Sequence, residues 1–300
     1  MNYKRIFKSR KLRNKLLQFL SWIPDKAMLK LQYRIKIGRK LNLKNPRRYT
    51  EKLQCYKLNY RNPLMVTCTD KFEVRSYLND CGFQDMLVNC YGVFDSVEEI
   101  NYETLPQSFV LKDTLGSGGN SVIICKDKNT FSFSTAKKQM EEWVKTPIKK
   151  SGGREWPYYS GKNHRIIIEE YIDSNAENGL TDYKFFCFNG KFEYIYVLCD
   201  RVLGKHVKLG IYNKNLEKLN VYRNDELPLH EEIEFPDNIS EMIEKAEKIS
   251  ASFPHARVDM YNENGKILFG EVTFFDGSGY MSYDPDSFDF EIGSKFDLSC

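Results

Sequence analysis

The 300-residue chain is poor in histidine and tryptophan, with four and three copies, and none of its eight cysteines stands in a C-x-x-C pair. A structural zinc site draws on closely spaced Cys and His, so this scarcity argues against one. The cysteines, at 55, 68, 81, 90, 125, 187, 199 and 300, are spread too widely for a disulfide frame and read as reduced thiols of a cytoplasmic protein. No apolar run reaches the roughly 18 residues that a membrane-spanning helix requires. A basic N-terminus without a clean apolar stretch and cleavage site argues against a secretory signal peptide. There is no internal repeat and no low-complexity tract. Acidic residues are nearly missing from residues 1–48, where sixteen Lys and Arg accompany Asp25 alone. The other 252 residues hold 29 basic and 40 acidic side chains, so the basic block is local and no nucleic-acid partner is expected.

What is present suffices for a core: 41% of residues are hydrophobic and 14% aromatic. The length suits one large domain, or two to three smaller ones sharing a cleft. In residues 1–22, Ile6, Leu12, Leu16, Leu17, Phe19, Leu20 and Trp22 alternate with Lys and Arg, predicting a cationic amphipathic helix that Pro24 ends. Such a helix suits an anionic membrane surface or polyanionic glycan, and equally suits packing on its own domain. Helices are expected over 50–80, 135–144 and 239–253, with a helix start at 97–100. Strands are expected at 88–94, 109–112, 121–126 and 165–172. Two hairpins complete the pattern, 182–188 with 191–197 across Asn189-Gly190, and 255–261 with 266–273. Hairpins mixed with helices indicate an α+β class with mostly antiparallel sheets.

Four elements carry chemistry. On the C-terminal hairpin, Asp259 and Glu271 lie on partner strands close enough to share a hard cation, and Arg257 shares the face of Asp259 two residues on. A cation there can stabilise charge moving off a phosphate. Alone, the same residues also suit an ordinary exposed hairpin. Next, the strand Val110-Leu111-Lys112 runs into Gly116-Ser117-Gly118-Gly119-Asn120-Ser121, where glycines let backbone N–H groups face a phosphate. Lysine before the loop and a strand after it distinguish this order from a P-loop. Third, Ile166-Ile167-Ile168-Glu169-Glu170-Tyr171-Ile172 reads as a buried strand whose end can meet a purine edge, with Glu169 accepting from the exocyclic amine. Fourth, Thr69-Asp70-Lys71 puts a cation at a helix start, unfavourable with the helix dipole unless an anion binds.

The order of these elements resembles the ATP-grasp superfamily, and within it the TupA-like ATP-grasp family of bacterial surface-polysaccharide clusters, named for teichuronopeptide synthesis. The resemblance spans roughly residues 30–290. It rests on Asp70-Lys71-Phe72-Glu73-Val74-Arg75, Phe109-Val110-Leu111-Lys112, Gly153-Arg154-Glu155-Trp156-Pro157-Tyr158, Asp182 through Gly190, and Phe269-Gly270-Glu271-Val272-Thr273-Phe274.

The resemblance implies two α+β subdomains gripping ATP. The expected division is a basic helical segment 1–48, an N-terminal α/β part 49–105, a small lid subdomain 106–175 and a C-terminal subdomain 176–300 with the metal site. Lys71 and Lys112 would contact phosphates, and Gly116, Ser117, Gly118, Gly119, Asn120 and Ser121 would form the lid. Glu169, Glu170, Tyr171 and Ile172 would hold adenine. Asp259 and Glu271, with Thr273, would bind Mg²⁺. Many relatives carry Asn where Thr273 stands, which bears on a second ion. Lys184 would approach the γ-phosphate and Arg257 an acyl phosphate, while the loop Asp276-Gly277-Ser278-Gly279, with Ser278 and Gly279 at the reacting centre, would offer N–H donors. Arg154, Trp156 and Tyr158 would face a sugar.

The implied reaction joins an amine or amino acid to a uronic-acid carboxylate through an acyl phosphate, in capsule, O-antigen or cell-wall polysaccharide synthesis. The sugar would be free, nucleotide-linked or part of a glycan. The location would be cytoplasmic, with peripheral contact at the inner membrane face. The alternatives are a sugar kinase using the same ATP site and a glycosyltransferase, for which Asp284-Pro285-Asp286 would be the metal motif.

Overall fold

The computed structural model describes residues 17, 19–116, 121–148, 153–160, 162–173, 180–199 and 207–298. Two sheets organise them. The smaller has four antiparallel strands in the order β1-β4-β2-β3, formed by β1 (Cys90–Phe94), β2 (Phe109–Asp113), β3 (Val122–Cys125) and β4 (Ile166–Glu170). The larger has the order β11-β10-β5-β6-β7-β9, formed by β5 (Asp182–Phe188), β6 (Lys191–Cys199), β7 (Lys208–Asn213), β9 (Leu227–Pro228), β10 (His255–Glu263) and β11 (Lys266–Thr273). Only its β7–β9 edge is parallel. β8 (Tyr222–Arg223) pairs separately with β12 (Tyr283–Asp284).

The helices divide between these sheets by their apolar faces. After α1 (Asp25–Ile37), α2 (Tyr49–Asn59), α3 (Leu64–Thr69) and α4 (Val74–Asp80) pack on the large sheet, as do α6 (Ile239–Ser250) and α7 (Ser287–Lys295). The small sheet is covered by α5 (Phe133–Val144), which buries Ala136, Met140 and Trp143 at helical spacing. Met242, Ala246 and Ile249 of α6 repeat that spacing against the large sheet. Two hairpins of the large sheet, β5–β6 and β10–β11, turn on Asn-Gly pairs. Asn189 and Gly190 have φ of 49° and 70°, and Asn264 and Gly265 have 52° and 84°, the left-handed values that two-residue hairpin turns need. Gly190 also lies against α6, where a Cβ would come within 3.1 Å of the Ala251 Cα.

His255 ties α2 to the large sheet. Its Nδ1–H donates to the Cys187 carbonyl at 2.9 Å, which leaves Nε2 to accept from the Tyr49 hydroxyl at 2.8 Å. Burial pushes its pKa down to about 4, so the ring is neutral.

The expected elements form with shifted ends. Residues 49–105, expected as one N-terminal α/β part, contribute to two cores. Helices α2 to α4 join the large-sheet core, while β1 and the stretch through Leu105 join the small-sheet core. The reason is pairing: β1 bonds to β4, more than seventy residues later. The helix start at 97–100 is a single 3₁₀ turn, Val97–Glu99. Of the expected 1–22 helix, residues 1–16 and 18 lie outside the described residues, and Leu20–Trp22 is a 3₁₀ turn.

Candidate functional site

Strand register builds the site. Asp259 on β10 lies opposite Glu271 on β11 and opposite Lys184 on β5, so the three side chains form a row across one face. Arg257, two residues earlier, is opposite Thr273 and shares that face. A bulge follows, because the register shifts between Asp259 and Met260 and leaves Gly270 unpaired. A Cβ on Gly270 would lie 3.0 Å from the Asp259 carbonyl oxygen, so glycine permits the approach.

The row is a dense ionic network. Arg257 donates from Nε and Nη2 to the two Asp259 oxygens, both at 2.7 Å, and from Nη1 to Asp276. Its Nη2 also reaches Glu271 Oε1 at 3.2 Å and Thr273 Oγ1 at 3.1 Å, and Thr273 donates onward to Glu271 at 3.1 Å. Lys184 bonds Asp259 and pairs with Asp182 at 2.8 Å. Burial favours the neutral form of Asp259, but Arg257 and Lys184 outweigh it and hold the carboxyl below its usual range. Burial likewise opposes the Arg257 charge, while Asp259 and Asp276 keep its pKa well above the ordinary value. Glu271 differs from the rest: 46% of its side chain is exposed, against 3% for Asp259.

Glu271 opens onto a cleft that also receives Thr69, Lys71, Gly116, Tyr158 and Gly270. Lys71 donates to the Gly116 carbonyl where the Gly-rich loop begins. Burial lowers the Lys71 pKa, opposed chiefly by Glu271. The turn before α4 is capped by Asp70, whose Oδ1 accepts from the N–H groups of Phe72 at 2.9 Å and Glu73 at 3.0 Å. Lys71 is therefore turned to the cleft and not laid against a bare helix end. Burial also raises the Tyr158 hydroxyl pKa, with Glu155 and Glu271 adding to the shift.

On the small sheet, Lys112 pairs with Glu169 at 2.7 Å, and Arg75 reaches the same carboxylate at 3.3 Å. The Glu170 carboxylate accepts from Asn89 Nδ2 at 2.9 Å, and the Glu170 N–H is taken by the Asn89 carbonyl. Tyr171 lies with Lys126 5.9 Å from its ring centre, and Ile172 follows half-buried. The Ser121 carbonyl accepts from the Asp113 N–H at 3.0 Å, closing the base of the Gly-rich loop. Ser117, Gly118, Gly119 and Asn120 lie outside the described residues.

Three of the expected site features are engaged by other parts of the chain. Arg154 is turned to the segment before α1: its buried guanidinium donates to the Leu20 and Ser21 carbonyls and pairs with Asp25 at 3.0 Å, which commits three of its five N–H donors away from a sugar carboxylate. The Ser278 N–H is spent on the Phe275 carbonyl at 2.8 Å, and its hydroxyl donates to Glu155. The Ser278 and Gly279 carbonyls are held by Gln54, and that of Ser278 also by Lys57 at 2.7 Å, which fixes the loop. In Asp284-Pro285-Asp286, Asp284 belongs to β12, and Asp286 is bound by Arg39 and Arg48, both at 2.7 Å. Trp156 packs on the large core beneath Arg61, whose guanidinium carbon is 5.1 Å from the ring centre.

Arg223, Asp182 and Lys57 were missed from sequence, as was the ion pairing of the Asp276 carboxylate. Asp182-x-Lys184 carried a signal, since it repeats the two-residue alternation of Arg257-x-Asp259 on the neighbouring strand. Arg223 reaches Asp276 at 3.4 Å from a two-residue strand that no pattern marks. Lys57 is fully buried with its pKa pushed down to about 7, by burial first, and it also bonds the Gly153 carbonyl at 2.8 Å.

The residues fit one hard cation. Asp259, Glu271 and Thr273 are oxygen donors on adjacent strands, and Mg²⁺ commonly takes one or two carboxylates and completes its shell with phosphate oxygens and water. The Arg257 Nη2 already sits between the two carboxylates, marking a place where positive charge is stabilised.

Residues 51–297 match the family described as TupA-like ATPgrasp. The class is therefore ATP-grasp. The chain belongs to the TupA-like family within it. A search of curated proteins gives no match. Among solved structures, the chain is similar to D-alanine–D-alanine ligase from Helicobacter pylori, with 13% identity, 83% of this chain and 69% of that one covered, and a TM-score of 0.47. The L-amino acid ligase from Bacillus licheniformis shares 17% identity over 77% of this chain and 49% of its own, at 0.46. For D-alanine–D-alanine ligase from Bacillus anthracis the figures are 20%, 69%, 57% and 0.44. The chain spans little more than half the length of this last protein.

Proposed function

We propose that this chain is an ATP-dependent carboxylate–amine ligase that forms an amide through an acyl phosphate. The observation that carries the reading is the row Lys184–Asp259–Glu271 with Arg257, opening through Glu271 onto the cleft of Lys71 and Tyr158. Asp259 and Glu271 are assigned to Mg²⁺, which when bound neutralises the β- and γ-phosphate oxygens. Thr273 orients Glu271. Lys71 and Lys112 neutralise the phosphates, and Gly116 through Ser121 cover them. Glu169 and the segment Glu170–Ile172 meet the adenine edge. Arg257 and Lys184 hold the transferring phosphoryl group in line with the substrate carboxylate. That carboxylate attacks the γ-phosphate and releases ADP, and the amine then displaces phosphate. Positioning and charge neutralisation supply most of the rate.

The carboxylate is assigned to a uronic acid and the nucleophile to an amino acid or small amine, in surface-polysaccharide synthesis. Tyr158 at the cleft supports a sugar-facing wall. The test is ADP release from Mg·ATP against a panel of uronic acids and amines, with mass spectrometry of the products. Release that requires both partners and yields an amide is expected. A stable sugar phosphate formed without amine would instead make the chain a kinase, and no turnover or binding of ATP would remove the enzyme reading.

A further inference from the structure

Helix α1 presents a face that the proposed chemistry does not use. Of the ten large apolar side chains that stand exposed among the described residues, four lie between 19 and 35. They include the two most exposed, Phe19 and Trp22 at 75% each, followed along α1 by Leu31 at 50% and Ile35 at 46%. Met28, Leu29, Gln32 and Tyr33 take the opposite face of α1 into the protein, so the exposed residues are not merely the frayed side of a loose helix. Ala27, Leu31 and Ile35 recur every four residues and form one stripe, and Lys26, Lys30 and Arg34 form the next stripe, all exposed. The segment has one acid, Asp25, and Arg154 neutralises it. An apolar ridge bordered by cations and cleared of free negative charge complements an anionic lipid surface: the ridge enters the acyl boundary while the lysines meet the headgroups.

The same segment is fixed to the candidate site. Arg154 clamps the Leu20 and Ser21 carbonyls to the loop that carries Tyr158. Gln32 accepts from the Tyr280 hydroxyl at 2.6 Å, and the Lys36 ammonium lies 3.9 Å from the Tyr280 ring centre, next to Gly279. A surface that holds this helix therefore holds both loops beside the cleft in a set orientation.

We infer that Phe19, Trp22 and the exposed face of α1 form a docking surface for an anionic membrane. The test is co-flotation of the full chain with vesicles of equimolar phosphatidylglycerol and phosphatidylcholine, compared with pure phosphatidylcholine. The doubly substituted chains Leu31→Glu/Ile35→Glu and Lys26→Glu/Lys30→Glu, all at exposed positions, are run beside it. Binding to the anionic vesicles alone is expected, weakened about tenfold or more in each variant and reduced by added salt. Absence of binding to anionic vesicles overturns the inference. So does binding that both variants retain, which would place the contact elsewhere on the chain. A dimer that Leu31→Glu/Ile35→Glu dissolves, with no vesicle binding, would make a second copy the occupant and also overturn it. None of these readouts depends on ATP turnover.

Discussion

The four-stranded sheet carries its candidate site charges in a simple cluster, whereas the six-stranded sheet carries them in a cross-braced row. Lys112 and Glu169 face one another, with Arg75 as the one additional ion-pair partner among the described residues, and the Lys112 side chain is 29% exposed. Arg257, by contrast, is shared by Asp259, Asp276, Glu271 and Thr273, and Asp259 is shared in turn by Lys184. The difference follows from position. On the small sheet the charged residues sit next to the end of a strand, where it meets its loop. On the large sheet they come from the middle of three neighbouring strands above a continuous aromatic and aliphatic core, where an unpaired charge is costly. The proposed function uses both, the small-sheet cluster for the nucleotide and the large-sheet row for the transferring charge, and Glu271 is where the buried row meets the cleft.

Breaking the row should have the largest effect. Arg257→Met leaves Asp259 and Asp276 buried beside lost partners and should cost about 3–5 kcal/mol in denaturant unfolding. A variant as stable as the parent would mean that the row is no network. Glu271→Gln keeps the shape and the exposed position, so it should fold normally while ADP release falls roughly 100-fold or more. Full turnover in that variant would sink the metal assignment. Lys112→Met should raise the KM for ATP about tenfold, equivalent to roughly 1.4 kcal/mol, with little change in unfolding. A loss of stability without a change in KM would show that Lys112 serves Glu169 alone. The smallest effect is expected of Thr273→Asn. Its hydroxyl links Arg257 to Glu271 and an amide can keep that link, so turnover should change by less than about threefold while the Mg²⁺ concentration needed for half-maximal rate shifts. A large loss would indicate that the threonine hydroxyl itself is required.

Acid should act on the large-sheet side. The folded pKa of His255, about 4, lies below the value near 6.5 of an exposed imidazole. Between those values the unfolded chain binds the proton and the folded one does not. Stability is therefore full above about pH 6.5 and declines as pH falls toward 4.

Local patterns made much of this architecture legible. Alternation and the Asn-Gly pairs set both hairpins, because a two-residue turn with positive φ at both positions fixes which residues face each other. The same alternation placed Arg257 beside Asp259. Helical spacing marked α5 and α6, whose apolar faces repeat within one or two turns. The Lys-then-glycine order of residues 110–121 and the match to the family were likewise properties of the chain read in order. What local pattern did not reveal was every contact between distant segments. Arg154 reads as a clamp for a carboxylate, yet Asp25 and two carbonyls from the segment before α1 satisfy it first. Ser278 and Gly279 read as amide donors, yet their loop is turned so that Gln54 and Lys57 take its carbonyls. A guanidinium or a backbone amide has the same capacity wherever it lies, and only packing decides which partner removes it from water. The sequence by itself determined the strands, turns and charges from which the site is built. The tertiary structure decided which of those charges remain open to a ligand, since burial beside one partner excludes the next.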